Sequence, residues 1–240
     1  MEITYSPELA EICGIHAGDG YLRDDGHRHE LDISGAIEEY EYYDTHIVSL
    51  FEKVFEVKPE PRYFPARRTY GFVIRNRKII NFMHSLGFPF GKKTCIVGVP
   101  SFISEAADPK IASSFIRGVF DTDGALSFQH KDIYKTKQKT KHYYPQIKIG
   151  VCSKPLADGT AELLERAGFH YKYDYTRPID ERRHPRYILT LRGNNVLDNW
   201  LQKIGIKNSS KYSRYKVWKQ YGFCPPYTSY LQRRLILNNC

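Results

Sequence analysis

The stretches "GIHAGDGYL" (Gly14–Leu22) and "GVFDTDGAL" (Gly118–Leu126) decide the fold of this 240-residue chain. Each is a run of small and apolar residues that ends in Asp-Gly, before a segment with the pattern of a strand. The two stretches lie 104 positions apart, so that Asp19 matches Asp123. A pattern that recurs in this way indicates an internal repeat.

The segments around the two stretches predict the same order of elements twice. In the first half, periodicity predicts a helix, two strands, a long helix over about 39–56, a strand hairpin and a helix that ends at Gly87. The second half predicts this order again from about Pro109 to Gly205, with extra residues in the loop around 131–144. Helices mixed with antiparallel hairpins favour an α+β fold over a parallel, doubly wound sheet.

We therefore expect two pseudo-symmetric αββαββα repeats, each with one antiparallel sheet that packs one face on helices and leaves the other face free. The expected boundaries are residues 1–103 for the first repeat, 104–222 for the second repeat and 223–240 for a C-terminal extension. The extension starts where two consecutive prolines, Pro225 and Pro226, interrupt the chain after "WKQYGF".

Small residues recur at every fourth position of the first predicted helix in each repeat. The six residues are Ala10, Gly14, Gly18, Ser114, Gly118 and Thr122. Positions i and i+4 share a helical face, and a face with few side-chain atoms lets two backbones approach closely. We expect the two helices to cross on these faces, although each helix packing within its own repeat is the alternative.

Such a crossing would bring Asp19 and Asp123 side by side at the C-terminal ends of their helices. Both the partial negative charge of a helix C-terminus and the mutual repulsion of two carboxylates disfavour that arrangement. A divalent cation between the carboxylates removes both penalties, and oxygen ligands suit Mg²⁺, with Mn²⁺ as a substitute. The alternative is that each Asp-Gly pair is only a turn signal after a helix.

The segments "ICGIHAGDG" (Ile12–Gly20) and "IRGVFDTDG" (Ile116–Gly124) resemble the two nine-residue motifs of the monomeric LAGLIDADG homing endonucleases. The resemblance covers about residues 8–222 and implies a saddle with antiparallel β-sheets on the DNA face. It also implies that Asp19 and Asp123 are the metal-binding and catalytic acids, and that Gly18 and Thr122 take part in the metal site.

The first motif departs from the family pattern at its sixth position. Ala17 stands there in place of an acid, whereas the second motif keeps Asp121. The metal-binding acid is the eighth motif residue, so this departure leaves both Asp19 and Asp123 in place. His16 fills a motif position that is usually apolar, and we interpret it as a packing or capping residue.

The resemblance further implies one catalytic lysine per repeat, after the third helix and close to the scissile phosphates. Lys93 in "GFPFGKKT" and Lys211 in "GIKNSSKY" occupy that place and match at an offset of 118. A lysine there offsets charge that develops in the transition state. Lys92 and Lys207 are the alternative lysines, and an ordinary surface role is the alternative interpretation.

The free faces of the predicted sheets carry polar and basic residues that suit the major groove, which admits a β-ribbon. The expected DNA-binding residues are Tyr21, Arg23, Asp32, Ser34, Arg62, Arg67, Arg75, Lys135, Lys137, Lys139, Lys141, Gln146, Lys148 and Arg192. The four lysines of "KTKQKTK" form either a strand with a cationic face or a loop that attracts phosphates.

Charge and composition point to the same class of partner. The formal net charge is +9, and residues 199–240 contain no Asp or Glu, which favours a polyanion such as nucleic acid. The five cysteines lack any C-x-x-C pair, which argues against a disulfide framework and a structural zinc site. With no leader pattern or long apolar run, we expect a soluble, cytoplasmic protein without a membrane partner, and an organellar location stays open.

These features together predict a site-specific, Mg²⁺-dependent double-strand DNA endonuclease that acts as a monomer on a long, asymmetric site. An intron RNA maturase and a DNA-binding protein that does not cleave are alternatives with the same fold. A structural repeat protein without a nucleic-acid partner is the third possibility. The sequence leaves open the target DNA and whether the gene lies within an intron.

Overall fold

The computed structural model describes residues 3–131, 142–178, 180 and 183–238. The first repeat comprises α1 (Pro7–Asp19), β1 (Gly20–Asp24), β2 (His29–Ala36), α2 (Val48–Phe55), β3 (Arg62–Phe64), β4 (Thr69–Ile74) and α3 (Arg77–Ser85). A short helix, α4 (Ser101–Ser104), leads from this repeat into the second.

The second repeat has the same order, as the sequence predicts. It comprises α5 (Pro109–Asp123), β5 (Gly124–Lys131), β6 (His142–Val151), α6 (Lys154–Arg166), β7 (Lys172–Thr176), β8 (Arg186–Arg192) and α7 (Asn194–Lys203). Two further helices, α8 (Ser209–Tyr221) and α9 (Tyr230–Asn238), follow it. The α+β fold with two αββαββα repeats is therefore confirmed. In the described part of the chain, no helix has the length and apolar character needed to cross a membrane.

Each repeat contributes one four-stranded antiparallel sheet, and the two sheets have equivalent strand orders, β1-β2-β4-β3 and β5-β6-β8-β7. The registers also match, because Gly20 lies opposite Ile33 and Gly124 lies opposite Ile149. Alternate residues of each central strand are buried against helices, as in β2, where Leu31 and Ile33 are fully buried. The opposite face of the first sheet, its free face, carries Tyr21, Asp32 and Ser34, which are exposed or half-buried.

Helices α1 and α5 pack on each other through their small faces, as the sequence predicts. A Cβ added at Gly118 would lie 2.7 Å from Ile15 N, and one added at Gly14 would lie 3.0 Å from Val119 N. Only glycine permits so close an approach of two backbones. Both helices begin with a proline after a side-chain cap, Ser6 for α1 and Asp108 for α5.

A buried ion pair joins the two helices near the middle of the crossing. Arg117 donates to both carboxylate oxygens of Glu11, from Nε at 2.9 Å and from Nη2 at 2.5 Å. His46 Nε2 lies 2.6 Å from Glu11 Oε1, and Arg117 Nη1 donates to Ile204 O at 2.8 Å. The carboxylate and the guanidinium therefore both have partners, as burial requires.

The long helix predicted over 39–56 is helical but irregular. The structure has a 3₁₀ turn at Ile37–Glu39, a π-helical segment at Tyr42–Ile47 and only then α2. Tyr42 and Tyr43 are adjacent in sequence, and both are buried. In a regular α-helix, neighbouring residues do not lie on the same face, so one buried face would not take both rings. The wider π turn accommodates both rings, and it directs Tyr43 towards Asp19.

Candidate active site

The crossing of α1 and α5 brings the two motif acids to neighbouring helix ends. Asp19 is the last residue of α1 and Asp123 is the last residue of α5, and a strand follows each directly. Burial, together with the charges of Glu39 and Asp123, raises the pKa of Asp19 to about 7. Desolvation also raises the pKa of Asp123, although this side chain is more open to solvent and nearby cations oppose the rise.

Asp19 belongs to a cluster that also includes Tyr43 and Glu39. Tyr43 OH donates to Asp19 Oδ2 at 2.9 Å. The cluster fits because residue 35 is glycine, since a Cβ there would lie 2.5 Å from Asp19 Oδ2 and 3.0 Å from Glu39 Oε2. The result is a compact group of acidic oxygens beside the end of α1.

The predicted lysines occupy matching positions at the two helix ends. Lys93 Nζ donates to Ala17 O at 2.5 Å and to Gly18 O at 2.6 Å. Lys211 Nζ donates to Asp121 O and, at 2.7 Å, to Thr122 O. Each ammonium thus offsets the partial negative charge of one helix C-terminus.

The alternative lysines lie differently. The side chains of Lys92 and Lys207 are exposed, and Lys207 contributes its backbone N–H, which donates to Asp121 Oδ2 at 2.8 Å. Burial raises the pKa of Asp121 to about 7. His16 is fully buried against Phe88, and its ring centroid lies 4.4 Å from that of Phe88, in agreement with a packing role.

Sequence reasoning missed several residues of this region, among them Tyr43, Arg186, Glu39 and Asn208. Asn208 Nδ2 donates to Glu39 Oε1 at 2.6 Å and to Asp121 O at 2.8 Å. Asn208 Oδ1 also caps α8, accepting from Ser210 N and Lys211 N. The segment "NSSK" is a recognisable helix-start signal that could have revealed the cap, whereas nothing local marks Glu39 as a site residue.

Two clefts lie beside the ends of α1 and α5, and each is lined by one of the lysines. The Lys211 cleft has a volume of about 770 Å³ and is lined by Glu39, Lys211, Arg214, residues 124–128 of β5, and Tyr227 among others. The Lys93 cleft has a volume of about 340 Å³ and is lined by Gly18, Lys93, Asp123, Cys152 and Arg186 among others. Glu38 and Glu39 line the first cleft together with Lys211 and Arg214, whereas Lys93, Asp123 and Arg186 line the second, so the two clefts differ in their charged groups.

The donor set fits a hard divalent cation. Asp19 and Asp123 supply only oxygen, the donor type that Mg²⁺ and Mn²⁺ share. The carbonyl oxygens of Gly18 and Thr122, expected as further ligands, accept hydrogen bonds from Lys93 and Lys211, so each lysine would have to move aside before its carbonyl could bind a cation. The pKa of each aspartate is raised mainly by burial, and a bound cation would stabilise the charged form of both carboxylates. No group of three or more His, Cys, Asp or Glu within the described residues forms a complete ligand cage, so water and phosphate oxygens would have to complete the coordination.

The free face of the first sheet carries most of the predicted DNA-binding residues of the first repeat. Tyr21 lies opposite Asp32 in the β1–β2 register, and Ser34 follows on the same face of β2. Three predicted arginines form ion pairs with acids on or beside this sheet, Arg23 with Asp25, Arg67 with Asp32 and Arg75 with Glu30. Arg62 is exposed at the start of β3.

The second sheet places its predicted residues less uniformly. Arg192 is exposed and Lys148 is half-buried. Gln146 is only 1% exposed and accepts a hydrogen bond from Gln129 at 2.9 Å, so a base contact would require it to move. The predicted residues Lys135, Lys137, Lys139 and Lys141 lie outside the described part of the chain.

Comparisons with known proteins bear on the family and the fold. Residues 110–205 match the family model of the LAGLIDADG-like domain. The homing endonuclease I-DmoI, solved in complex with DNA and Mn, superposes with a TM-score of 0.55 at 16% identity, over 84% of this chain and 98% of that chain. No protein of curated function matches the sequence.

Two further solved structures share the fold. The homing endonuclease I-WcaI bound to its DNA recognition sequence gives a TM-score of 0.51 at 13% identity, over 86% of this chain and 84% of that chain. The N-terminal LAGLIDADG domain of DUF199/WhiA gives a TM-score of 0.50 at 14% identity, over 85% and 83%. The resemblance drawn from the two motifs is therefore confirmed: residues 110–205 match the LAGLIDADG-like domain, and most of the chain shares its fold with the homing endonucleases I-DmoI and I-WcaI and with the LAGLIDADG domain of DUF199/WhiA.

Proposed function

We propose that this protein is a metal-dependent, site-specific endonuclease that cleaves both strands of a DNA duplex. The observation that carries the proposal is the pair of aspartates at the adjoining ends of α1 and α5, each helix end with its own lysine. Two carboxylates, two lysines and two clefts match a substrate with two scissile phosphates. Because one chain contains both sets, it needs no second copy.

The free faces of the two sheets would hold the DNA, with the acid pair beneath the scissile phosphates. We take residues 1–103 and 104–222 as the two halves that bind the two sides of an asymmetric site. The net charge of +9 and the basic residues of both sheets favour a polyanionic partner. I-DmoI and I-WcaI, which share the fold, were solved with DNA.

Asp19 and Asp123 would hold the cation, and the carbonyl oxygens of Gly18 and Thr122 would join them once Lys93 and Lys211 turn from these carbonyls to the phosphates. A bound Mg²⁺ or Mn²⁺ supplies Lewis-acid activation of water and stabilises charge on the phosphate. Water oxygen attacks phosphorus in line, the P–O3′ bond breaks, and the products are a 5′-phosphate and a 3′-hydroxyl. Lys93 and Lys211 offset the charge that grows on the phosphate oxygens, and Tyr43 orients Asp19 through its hydroxyl.

A cleavage assay on selected DNA tests this proposal. Duplexes bound by the protein without divalent cations would be recovered from a random library and then incubated with Mg²⁺. The wild type should cut both strands, whereas Asp19→Asn and Asp123→Asn should bind the same DNA and lose at least about a hundredfold in rate. The matched control is Asp158→Asn, an exposed acid that pairs with Lys154 on α6.

Binding by the wild type without any cleavage in Mg²⁺ or Mn²⁺ would contradict the endonuclease and favour the non-cleaving DNA-binding protein. Preference for structured intron RNA over every selected duplex would favour the maturase. Full-rate cleavage by the double mutant would show that these aspartates are not the metal-binding acids.

A further inference from the structure

The C-terminal extension is fastened to the helix that carries Lys211. Arg233 of α9 is only 1% exposed, and its Nε donates to Ser213 Oγ at 2.7 Å. Its Nη2 donates to Ser210 O at 3.1 Å and to Ser210 Oγ at 3.2 Å. Ser210 directly precedes Lys211 in the first turn of α8, so the guanidinium fixes the backbone that positions the lysine.

A buried arginine without a carboxylate partner is costly, since its charge is desolvated. No described carboxylate lies within salt-bridge distance of Arg233, whose donors instead meet oxygens of Ser210, Ser213 and Thr228. Burying the Arg233 guanidinium therefore costs desolvation free energy, and its hydrogen bonds connect α8 to the start of α9.

The same extension also reaches the segment that carries Glu39. Tyr230 N donates to Glu38 Oε2 at 3.2 Å, and Tyr230 OH donates to Glu41 Oε2 at 2.5 Å. Glu38 and Glu41 flank Glu39, whose Oε1 lies 3.5 Å from Lys211 Nζ. Through Arg233 and Tyr230, α9 thus contacts both sides of the Lys211 cleft.

The Lys93 cleft is built differently. Lys93 lies in a turn, where Ile96 N and Val97 N donate to Lys93 O at 3.0 Å each. Within the described residues, the hydrogen bonds of α9 reach α8 and the Glu38–Glu41 segment and none reaches residues 91–97. The extension is therefore asymmetric with respect to the two lysines.

We propose that the C-terminal extension, through Arg233, positions Lys211 and so sets the rate at which one DNA strand is cut, without acting on the other. Arg233 is a positioning residue in this scheme, because it contacts Ser210 rather than DNA. The inference rests on the proposed endonuclease. Misplacement of a catalytic group by about 1 Å costs on the order of a hundredfold in rate.

The test measures the two strands separately. Single-turnover rates would be determined at saturating protein on duplexes with a different label on each strand, each pre-nicked in the other strand. Lys211→Met and Lys93→Met first assign one strand to each lysine. Arg233→Lys, which keeps the charge but loses the planar fork, should slow only the Lys211 strand, by on the order of tenfold to a hundredfold.

Two variants keep the test decisive. Arg166→Lys is the matched control, since Arg166 donates to the backbone carbonyls of Ser104 and Ala106 away from both clefts, and neither strand should slow. Ser213→Ala removes the hydroxyl oxygen that accepts from Arg233 Nε. It should slow the same strand, and it replaces Arg233→Lys if that variant does not fold. Equal slowing of both strands, or none, would overturn the inference while leaving the endonuclease intact. Absence of cleavage by the wild type would instead reject the proposed function.

Discussion

At the scale of single residues, the site depends on contacts that sequence spacing reveals only in part. Asp19 and Asp123 stand out because each ends a repeated motif, and their lysines follow from the same offset. Glu39 and Asn208 belong to no repeated pattern, and the fold alone brings them to the ends of the motif helices. Gly35 is similar, since its role is to leave room for side chains from three different segments.

Gly35→Ala tests how tightly the acid cluster is packed. The added methyl would lie 2.5 Å from Asp19 Oδ2 and 2.7 Å from Tyr43 OH, which is closer than atoms tolerate. Asp19 or Tyr43 must then move, and we expect cleavage to fall on the order of a hundredfold while DNA affinity is kept. The measurement is single-turnover cleavage beside a gel-shift titration.

The control for this substitution is Gly98→Ala, whose added methyl meets, among the described residues, only Pro155 Cβ, at 3.6 Å. That contact is an ordinary van der Waals distance, so cleavage should stay near the wild-type rate. A Gly35→Ala variant with unchanged cleavage would show that the position of Asp19 tolerates displacement, against the tight cluster described above.

At the scale of elements, the sequence predicts the helices and strands that have a regular pattern of apolar or small residues. It does not predict features that form only through contacts in the folded core or between the two repeats. Spacing along the sequence predicts the strand hairpins, the two motif helices and the crossing of their small faces. Residues two apart share a face of a strand and residues four apart share a face of a helix, so these patterns can be recognised in the sequence itself. Spacing does not predict the π-helical segment at Tyr42–Ile47. A π turn forms here because the core buries two adjacent tyrosines, Tyr42 and Tyr43, and only the folded structure shows that burial. The buried pair of Glu11 and Arg117 likewise requires knowing that α1 meets α5.

Glu11→Gln tests that ion pair. The substitution leaves Arg117 without its carboxylate partner in a buried crossing, and we expect the free energy of unfolding at pH 7 to fall by about 3 kcal/mol. Urea unfolding followed by circular dichroism measures the change. The control is Glu8→Gln, whose partner Lys53 is largely exposed, and it should cost less than about 1 kcal/mol.

The pH dependence of that difference follows from the pKa of Glu11. Burial alone would raise this pKa, but hydrogen bonds from Arg117 and His46 outweigh it and lower the pKa below its ordinary value of 4.5. A depressed folded-state pKa stabilises the protein above pH 4.5, and this stabilisation is lost as pH falls through the folded value. The gap between wild type and Glu11→Gln should therefore shrink below pH 4.5, and a gap that stays constant would contradict the ion pair.

At the scale of the whole molecule, two nearly equivalent repeats surround two chemically different sites. Asp19 has Glu39 and Tyr43 beside it, whereas Lys93 and Arg186 lie close to Asp123. Many of the sheet arginines are already paired with acids, as Arg67 is with Asp32. Binding of DNA would then replace intramolecular ion pairs with contacts to phosphates. The affinity for DNA would therefore depend on where each arginine lies as well as on the net charge.

Salt dependence of DNA binding tests the saddle as a whole. If the two sheet faces neutralise about eight phosphates, log K should fall with log salt at a slope of about −7. Arg62→Ala, which removes an exposed cation that has no ion pair among the described residues, should weaken binding on all sequences and reduce the slope by about one. Arg166→Ala, on the helical side of the second repeat, should leave the slope unchanged. A slope near zero for the wild type would mean that the protein does not bind DNA through phosphates, and would favour a structural repeat protein over every nucleic-acid role.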